Sequence, residues 1–348
     1  MNLGAVQSKC AHVANTLLPP AMLQELQTIF LAKGVTATTA IEGNSMSERE
    51  VREIIEGRAT IPPSRDYERQ EILNIVSACN AIVETINVDA SGALSFDEFC
   101  ELNRKVLHRL PRRKGEIPGE IPTHNLTVGR YRGAPREDCE YLLRRLCDWI
   151  NSDDWLHDDE NKLAYGVLRA AIAHLYFAWI HPFSDGNGRT ARLVEFKILL
   201  GAGAPLPAAH LLSSHYNQTR LEYYRQLDFA SASGGDLFAF LDYAVRGMAD
   251  GLQQQIDHLN SHQWNATWKE HVYSQFESQG GKAAHRQRQV ALDLWRFGPT
   301  GVEISKLRSI SPDVAARYAR VSAQAIVRDI KILEGMGLVE RRKKDLSA

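Results

Sequence analysis

Apolar residues recur along most of the chain at the three-to-four spacing of amphipathic helices. Met22, Leu23, Leu26, Ile29 and Phe30 mark a helix over Ala21–Lys33, ending near Gly34. Ser47 and Glu50, three apart, read as the capping box of a second helix. Longer stripes cover Tyr67–Ile86 and Phe96–Leu110, the latter stopped by Pro111. Residues 111–135, PRRKGEIPGEIPTHNLTVGRYRGAP, break the pattern. They are rich in Pro and Gly with short runs of strand character, so a loop with a small hairpin is expected. Helices resume at Arg136–Ile150 and Leu163–Ile180, where Tyr165, Leu168, Ile172, Leu175, Tyr176 and Trp179 form one stripe. Proline disfavours α geometry in the residue before it, so His181-Pro182 ends that helix. Another helix is expected from near Gly188 through Leu200, followed by Tyr216–Phe229 and Leu237–Leu259. After a break at Gly280-Gly281 come His285–Phe297, Ile304–Ile310, Val314–Ala319 and Ala323–Leu333. The pattern predicts a mainly α protein with no internal repeat.

Composition narrows the class. The 348 residues are 44% hydrophobic and 24% charged, an ordinary globular balance with enough chain for two or three domains. A formal net charge of -1 supplies no global field toward nucleic acid or membrane, although a local basic patch remains open. Cys10, Cys79, Cys100, Cys139 and Cys147 are scattered, odd in number and without a CxxC pair, which argues against a disulfide framework or a thiolate metal site. The N-terminus lacks the cationic-then-apolar order of a signal peptide. Leu163–Phe183 is the most apolar long segment, but Arg169, His174 and His181 interrupt it, so it reads as a buried helix rather than a membrane span. The expected compartment is the reducing cytoplasm.

Residues 181–192, HPFSDGNGRTAR, concentrate the chemistry. They form a loop feeding a helix N-terminus, whose exposed N–H groups and partial positive charge favour phosphate. Gly186 and Gly188 let backbone approach a ligand closely. Arg189 and Arg192 lie on adjacent turns of one helix face, and guanidinium forks suit phosphate oxygens. Asp185 can hold Mg²⁺, which takes one or two carboxylates plus phosphates. His181 can accept a hydroxyl proton near neutral pH. Taken singly, each has a scaffold reading: His181 as a helix cap, Asp185-Gly186 as a turn, the arginines as solvated. Together they fit phosphate transfer to a protein or small-molecule hydroxyl.

The stretch resembles the signature of Fic (filamentation-induced-by-cyclic-AMP) domain enzymes, H-x-F-x-[DE]-G-N-G-R-x-x-R, at His181, Phe183, Asp185, Gly186, Asn187, Gly188, Arg189 and Arg192. The resemblance implies a Fic-fold helical core that moves AMP from ATP to a Ser, Thr or Tyr hydroxyl of a protein, releasing pyrophosphate. His181 would be the general base and Asp185 the Mg²⁺ ligand. Gly186, Asn187 and Gly188 would form the anion hole, Arg189 and Arg192 would hold the β/γ end of ATP, and Phe183 would be core. Thr123–Gly133 falls where the family carries a β-hairpin flap that pairs with the target segment. Tyr223-Tyr224 with Leu227 resembles the helix that closes the nucleotide pocket, whereas Ser231 stands where some relatives place an asparagine near the nucleoside.

TTAIEGN, Thr38–Asn44, reads locally as a short helix with Thr38 as its N-cap and Gly43 as its C-cap. Its T-x-x-x-E-G spacing also resembles the Fic inhibitory motif, which implies that Glu42 pairs with Arg192 and blocks ATP within the same chain. Some relatives with this glutamate also remove AMP. Asn87–Glu98 mimics an EF-hand loop, yet it starts with Asn and has no companion loop. It reads instead as a glycine-containing turn, with Ser95 and Glu98 capping the next helix. His157, His174 and His210 lack metal-ligand spacing.

The tail resembles a winged helix-turn-helix, with Ser322 as cap, Ala323–Leu333 as recognition helix and Leu338–Lys344 as a basic wing. Arg328, Lys331 and Arg341–Lys344 could meet phosphates, and Gln324 and Arg328 could read bases. A dimer or protein-docking role is the other reading. The expected organisation is an N-terminal helical region over 1–110 with the inhibitory motif at 38–43, a catalytic core over 111–275 with the flap at 123–133, and a winged helix over 285–348. Partners would be ATP, a protein hydroxyl that includes the chain's own, DNA through 285–348, and a second copy, with no membrane. Two other functions remain open: removal of AMP, and DNA-bound regulation with the core as a nucleotide sensor.

Overall fold

The computed structural model describes residues 3–16, 20–88, 92–112, 115–128, 131–155 and 161–342. Its helices run α1 Leu3–Asn15, α2 Pro20–Ala40, α3 Glu48–Ile55, α4 Asp66–Val88 and α5 Phe96–Val106. A two-residue antiparallel ladder follows, β1 Thr127–Val128 with β2 Tyr131–Arg132, in the register Thr127↔Arg132 and Val128↔Tyr131. Then come α6 Arg136–Ile150, α7 Lys162–Ile180, α8 Asn187–Gly201, α9 Leu211–Gln218, α10 Arg220–Ala232, α11 Phe238–Gln275, α12 Gly281–Leu294, α13 Pro312–Tyr318 and α14 Ala323–Gly335. The fold is mainly α, as the periodicity predicts.

Contacts divide the chain into Met1–Ile256 and Asp257–Ala348. In the first unit the expected N-terminal region and the residues after it share one core, running from Val6 through Leu143, Val167 and Phe177 to Leu252. At its centre α7 packs along α8. Helix α7 is long and apolar enough to cross a membrane by length and composition, but Val167, Ala170, Ala171, Leu175 and Phe177 are fully buried inside the protein. That burial accounts for its apolarity.

Local chemistry explains the helix starts. Ser47 and Glu50 make the reciprocal capping box of α3. Ser95 accepts from Glu98 N at 3.2 Å and caps α5, an arrangement worth about 1 kcal/mol. The Glu98 carboxylate does not complete a box; it meets Lys197 Nζ at 2.5 Å. Residues 89–91 of the EF-hand-like stretch lie outside the described residues.

Four expectations are corrected by packing. Helix α2 does not stop at Gly34 but continues to Ala40. A Cβ on Gly34 would fall 2.3 Å from the His210 ring, so this glycine makes room for a buried histidine. The ring stacks on Phe196 at 4.4 Å, and burial lowers its pKa to about 4. Thr38 therefore lies in the last turn of α2 and is no N-cap. The Tyr216–Phe229 stripe is two helices, broken at Thr219 (φ -115°, ψ 39°). The helix expected to end at Leu259 is α11, which runs on to Gln275, with Gly247 and Gly251 accommodating the His215 ring and the Leu211 side chain.

The second unit has its own core of Val272, Phe276, Val290, Leu307, Val314, Tyr318, Ile326, Ile330 and Leu333. Residues 338–342 form no strand, and Lys343 and Lys344 of the expected wing lie outside the described residues.

Alanine normally gains about 0.5–1 kcal/mol over glycine inside a helix. Gly34→Ala should instead destabilise the chain by about 1–3 kcal/mol through overpacking against His210. Urea unfolding checks the sign; an unchanged or raised midpoint would mean that the ring yields freely.

Candidate functional site

The end of α7 sets the first functional group. His181 is its C-cap, with φ 49° and ψ 57°, and its N–H donates to Phe177 O at 2.9 Å. A left-handed non-glycine residue costs about 1–3 kcal/mol, so the surrounding structure must hold it. Pro182 redirects the chain, Phe183 is buried with its ring 6.1 Å from that of Phe177, and Ala134 N donates to Ile180 O at 3.1 Å.

Two asparagines then shape the loop. The Asn187 side chain folds back on Phe183, accepting from its N–H at 3.0 Å and donating to its carbonyl at 2.5 Å. Asn103, buried on α5, donates to Asp185 O at 2.9 Å and accepts from Gly119 N at 2.8 Å. Gly186 takes φ 75°, and a Cβ there would meet Asn103 Nδ2 at 3.0 Å and Val106 Cγ1 at 3.2 Å. Only glycine fits both the conformation and the space.

The loop delivers the N-terminus of α8. Arg189 and Arg192 leave this helix in different directions, and both are buried. Arg189 Nη1 meets Glu71 Oε1 at 2.5 Å and its Nη2 lies 3.3 Å from Asp185 Oδ1. Arg192 donates from Nε to Thr38 Oγ1 at 2.7 Å, and from Nη2 to Thr38 O at 2.9 Å and Glu42 Oε1 at 2.6 Å. The reading of the two arginines as solvated is thereby excluded. Their scarce freedom follows from burial: an unpaired interior guanidinium is costly, so each takes a carboxylate.

Glu42 reaches this position through the way α2 ends. Gly43 has φ 102°, its N–H donates to Ala40 O at 2.9 Å, and Asn44 N donates to Thr39 O at 3.2 Å. This is a Schellman ending with Gly43 at the left-handed position. Asn44 Nδ2 then donates to Glu71 Oε2 at 2.9 Å, and Ser45 binds Glu68. A Cβ on Gly188 would lie 2.3 Å from Glu42 Oε1, so the carboxylate rests on the first turn of α8. That turn is where a helix N-terminus attracts an anion. From the other side Tyr224 OH donates to Ile41 O at 3.4 Å, and Arg220 Nη1 to Ala40 O at 3.3 Å.

Electrostatics follow the geometry. Burial alone would raise the Glu42 carboxyl, but the charge and hydrogen bond of Arg192, with Arg189 and Arg220 beyond, hold it below the usual range. Burial also works against the Arg192 charge, and Glu42 more than restores it. Glu71 is pushed up, with burial outweighing Arg189. Burial lowers His181, against smaller opposing effects that include Glu42 and Asp185. The Asp185 side chain stays 61% exposed beside His181 and Arg189.

The structure thus brings His181, Asp185, Gly186, Asn187, Gly188, Arg189, Arg192, Glu42 and Tyr224 to one region. Sequence reasoning missed Glu71 and Asn103. Their signal was a polar residue on the apolar face: Glu71 sits beside Ile72, Ile75 and Ala78, and Asn103 beside Phe99, Cys100 and Val106. It also missed a buried chain behind Arg192, in which His174 Nε2 lies 2.8 Å from Tyr223 OH and Tyr216 OH donates to Glu195 at 2.8 Å. Among the described residues no group of three or more His, Cys, Asp or Glu could hold a metal. His157 lies outside them.

Residues 93–199 match the Fic/DOC family. The chain is 31% identical over 264 residues to protein adenylyltransferase fic-1 of Caenorhabditis briggsae, covering 75% of this chain and 47% of that one. It is 30% identical over 220 residues to protein adenylyltransferase Fic of Nematostella vectensis, covering 60% and 45%. It thus spans about half the length of the curated relatives it matches. Its fold is similar to that of Fic-1 (aa134–508) from C. elegans, with a TM-score of 0.61 and 28% identity over 75% of this chain and 72% of that one.

Two measurements test this geometry. Glu71→Ala strips Arg189 and Asn44 of a shared carboxylate, and should cost about 3–5 kcal/mol in urea unfolding. A loss under about 1 kcal/mol would mean that Asp185 or water replaces it. The His181 ring should titrate below 6.5 by NMR and be neutral at pH 7. The corresponding stability is present above pH 6.5 and is lost as pH falls through the folded value. A midpoint at or above 6.5 would contradict the burial argument.

Proposed function

We propose that the chain, whose residues 93–199 match the Fic/DOC family, is a member of that family and transfers AMP from ATP to a Ser, Thr or Tyr hydroxyl of a protein, under an intramolecular brake at Glu42. The observation that carries this reading is the Glu42 carboxylate resting on Gly188 and Arg192: a negative group already occupies a cradle built for a negative ligand.

In the open site the acceptor hydroxyl gives its proton to an imidazole nitrogen of His181, which is neutral and available. The hydroxyl oxygen bonds to the α-phosphorus. The bond from that phosphorus to the oxygen bridging the β-phosphate breaks, and pyrophosphate leaves with the electron pair. Asn187 keeps the loop closed through Phe183, and Gly186 and Gly188 let backbone N–H groups face the phosphates. Arg189 and Arg192 hold the β/γ end. Asp185, exposed and the only signature carboxylate, fits Mg²⁺, which binds through one or two carboxylates and the nucleotide rather than in an all-protein cage. When bound, Mg²⁺ supplies positive charge to the phosphate oxygens.

In the resting state Arg192 is committed to Thr38 and Glu42 and cannot fork a phosphate. The Glu42 carboxylate also repels the triphosphate from the first turn of α8. Tyr224 OH and Arg220 Nη1 bond the carbonyls of Ile41 and Ala40 at the end of α2, and Tyr224 would close over the nucleoside once Glu42 leaves. The strand pair 127–128 and 131–132 would pair with the target segment, and the target class includes the chain's own hydroxyls. Five free, buried cysteines support a cytoplasmic setting. Removal of AMP by the same site is the second reading, because the ionised Glu42 carboxylate can orient a water.

Incubation with Mg²⁺, cell lysate and ATP labelled at the α- or γ-phosphate tests the proposal. Protein label should come from the α-phosphate only. It should rise at least about tenfold in Glu42→Gly, about 1.4 kcal/mol, and vanish in Glu42→Gly/His181→Ala. Label from the γ-phosphate would mean phosphoryl transfer and a different pose. Absence of label in every variant, with loss of AMP from a pre-modified protein, would select the second reading.

A further inference from the structure

Charge is not spread evenly along this nearly neutral chain. Residues 257–348 hold 15 Lys and Arg against 10 Asp and Glu, a net +5, while the whole chain is -1. Helices α13 and α14 are neutral by sum, with Arg317 against Asp313 and Arg328 and Lys331 against Asp329 and Glu334, so there it is the placement of the charges that matters. Ser311 caps α13 through Val314 N at 3.1 Å, and a short turn leads into α14. Arg308 Nη2 donates to Tyr318 O at 2.7 Å and Val321 O at 2.5 Å, which fixes that turn. The buried carboxylate of Asp329 accepts from Arg286 at 2.7 Å, Gln287 at 2.8 Å and Tyr318 OH at 2.8 Å. That knot orients α14 against α12 and α13, so its outer face is presented rigidly.

The outer face is specific in content. Gln324, Val327, Arg328 and Lys331 stand at i, i+3, i+4 and i+7 and are all exposed. Arg317 and Arg320 are exposed just before them. Among the described residues Arg317, Arg320 and Arg328 form no ion pair and Lys331 has only the charge of Glu334 near it, whereas Arg341, Arg342 and Lys306 of the same unit are paired. Exposed cations on α13, in the turn after it and on α14 are complementary to a polyanion.

We propose that this helix-turn-helix face binds duplex DNA, with α14 in the major groove. Arg317, Arg320 and Lys331 meet phosphates. Gln324 and Arg328 reach base edges, the first suited to adenine and the second to guanine, and Val327 packs on a thymine methyl. The B-form major groove admits an α-helix, whereas the deep, narrow groove of A-form RNA does not, which selects DNA over duplex RNA. The described residues 338–342 form no strand, so the contact is assigned to α13, the turn and α14. The inference is independent of the chemistry at His181.

The test uses the full chain and fluorescent mixed-sequence DNA, with RNA duplexes of the same sequence for comparison, followed by anisotropy from about 50 to 200 mM salt. DNA affinity should fall steeply, with a log–log slope of about -3 or steeper. Arg317→Ala/Arg320→Ala should reduce that slope by about 2 and weaken binding about tenfold or more at the lower salt. After selection of a preferred sequence from random duplexes, Arg328→Ala should lose about tenfold of the preference while retaining salt-sensitive general binding. These side chains are exposed, so melting temperatures should match wild type. AMP transfer, followed in parallel in the Glu42→Gly background, separates failure at this surface from failure of the proposed reaction. The proposal is overturned by no DNA binding at about 50 mM salt, by variants that bind like wild type, or by RNA bound as tightly as DNA. It is also overturned by a second copy of the chain held through this face, seen as a dimer that Arg328→Glu dissociates in light scattering.

Discussion

Burying two guanidinium groups within one turn of a helix is the constraint on which the rest of the site depends. An isolated interior cation is costly, and Arg189 and Arg192 lie at the centre of the first unit. Each is therefore met by carboxylates from elements far away in sequence, Glu71 on α4 and Glu42 after α2. Those pairings draw α2 and α4 onto α8 and fix the direction from which any anion can approach its N-terminus. The same charges that would grip a nucleotide thus organise the protein in its absence.

Glu71 has a double role in this arrangement. One oxygen holds Arg189 and the other holds Asn44, just beyond the Schellman ending that presents Glu42. The anchor of one arginine is thereby the anchor of the segment that occupies the other. Asn103 does comparable work on the opposite side, tying the Asp185 backbone to Gly119, while His181 is the left-handed C-cap of α7. Asp185 and Tyr224 are exposed side chains at the rim, and the backbone of the loop beneath is held by the buried Asn103 and Asn187. Such a floor suits chemistry in which a base and a phosphate must meet at fixed distance.

The second unit repeats the principle on a smaller scale. Asp329 gathers Arg286, Gln287 and Tyr318 inside, and Arg317, Arg320 and Arg328, which form no ion pair among the described residues, are exposed on α13, α14 and the turn between them. Net charge for the whole chain hides this segregation, since an excess of acid in the first 256 residues offsets it. A surface rather than a composition is what carries an electrostatic partner.

Much of this was legible in the chain itself. The 3.6-residue period gave the helices, Pro182 after His181 located the end of α7, and the spacing of 181–192 identified the loop and its chemistry, because turns and caps are local. Local logic failed where a distant side chain decided the outcome. Gly34 reads as a stop until His210 is seen against it, and Thr38 reads as a cap until Arg192 is seen to bond it. Glu71 and Asn103 show only as polar interruptions of apolar faces, with nothing in the sequence to say what they hold. The basic stretch after Gly337 reads as a wing, yet the described part pairs Arg341 with Glu334 and forms no strand. Sequence determined which groups this protein possesses and which segments are helical. Tertiary structure alone decided which buried charge meets which, since that choice depends on desolvation and distance between elements that the linear order does not record.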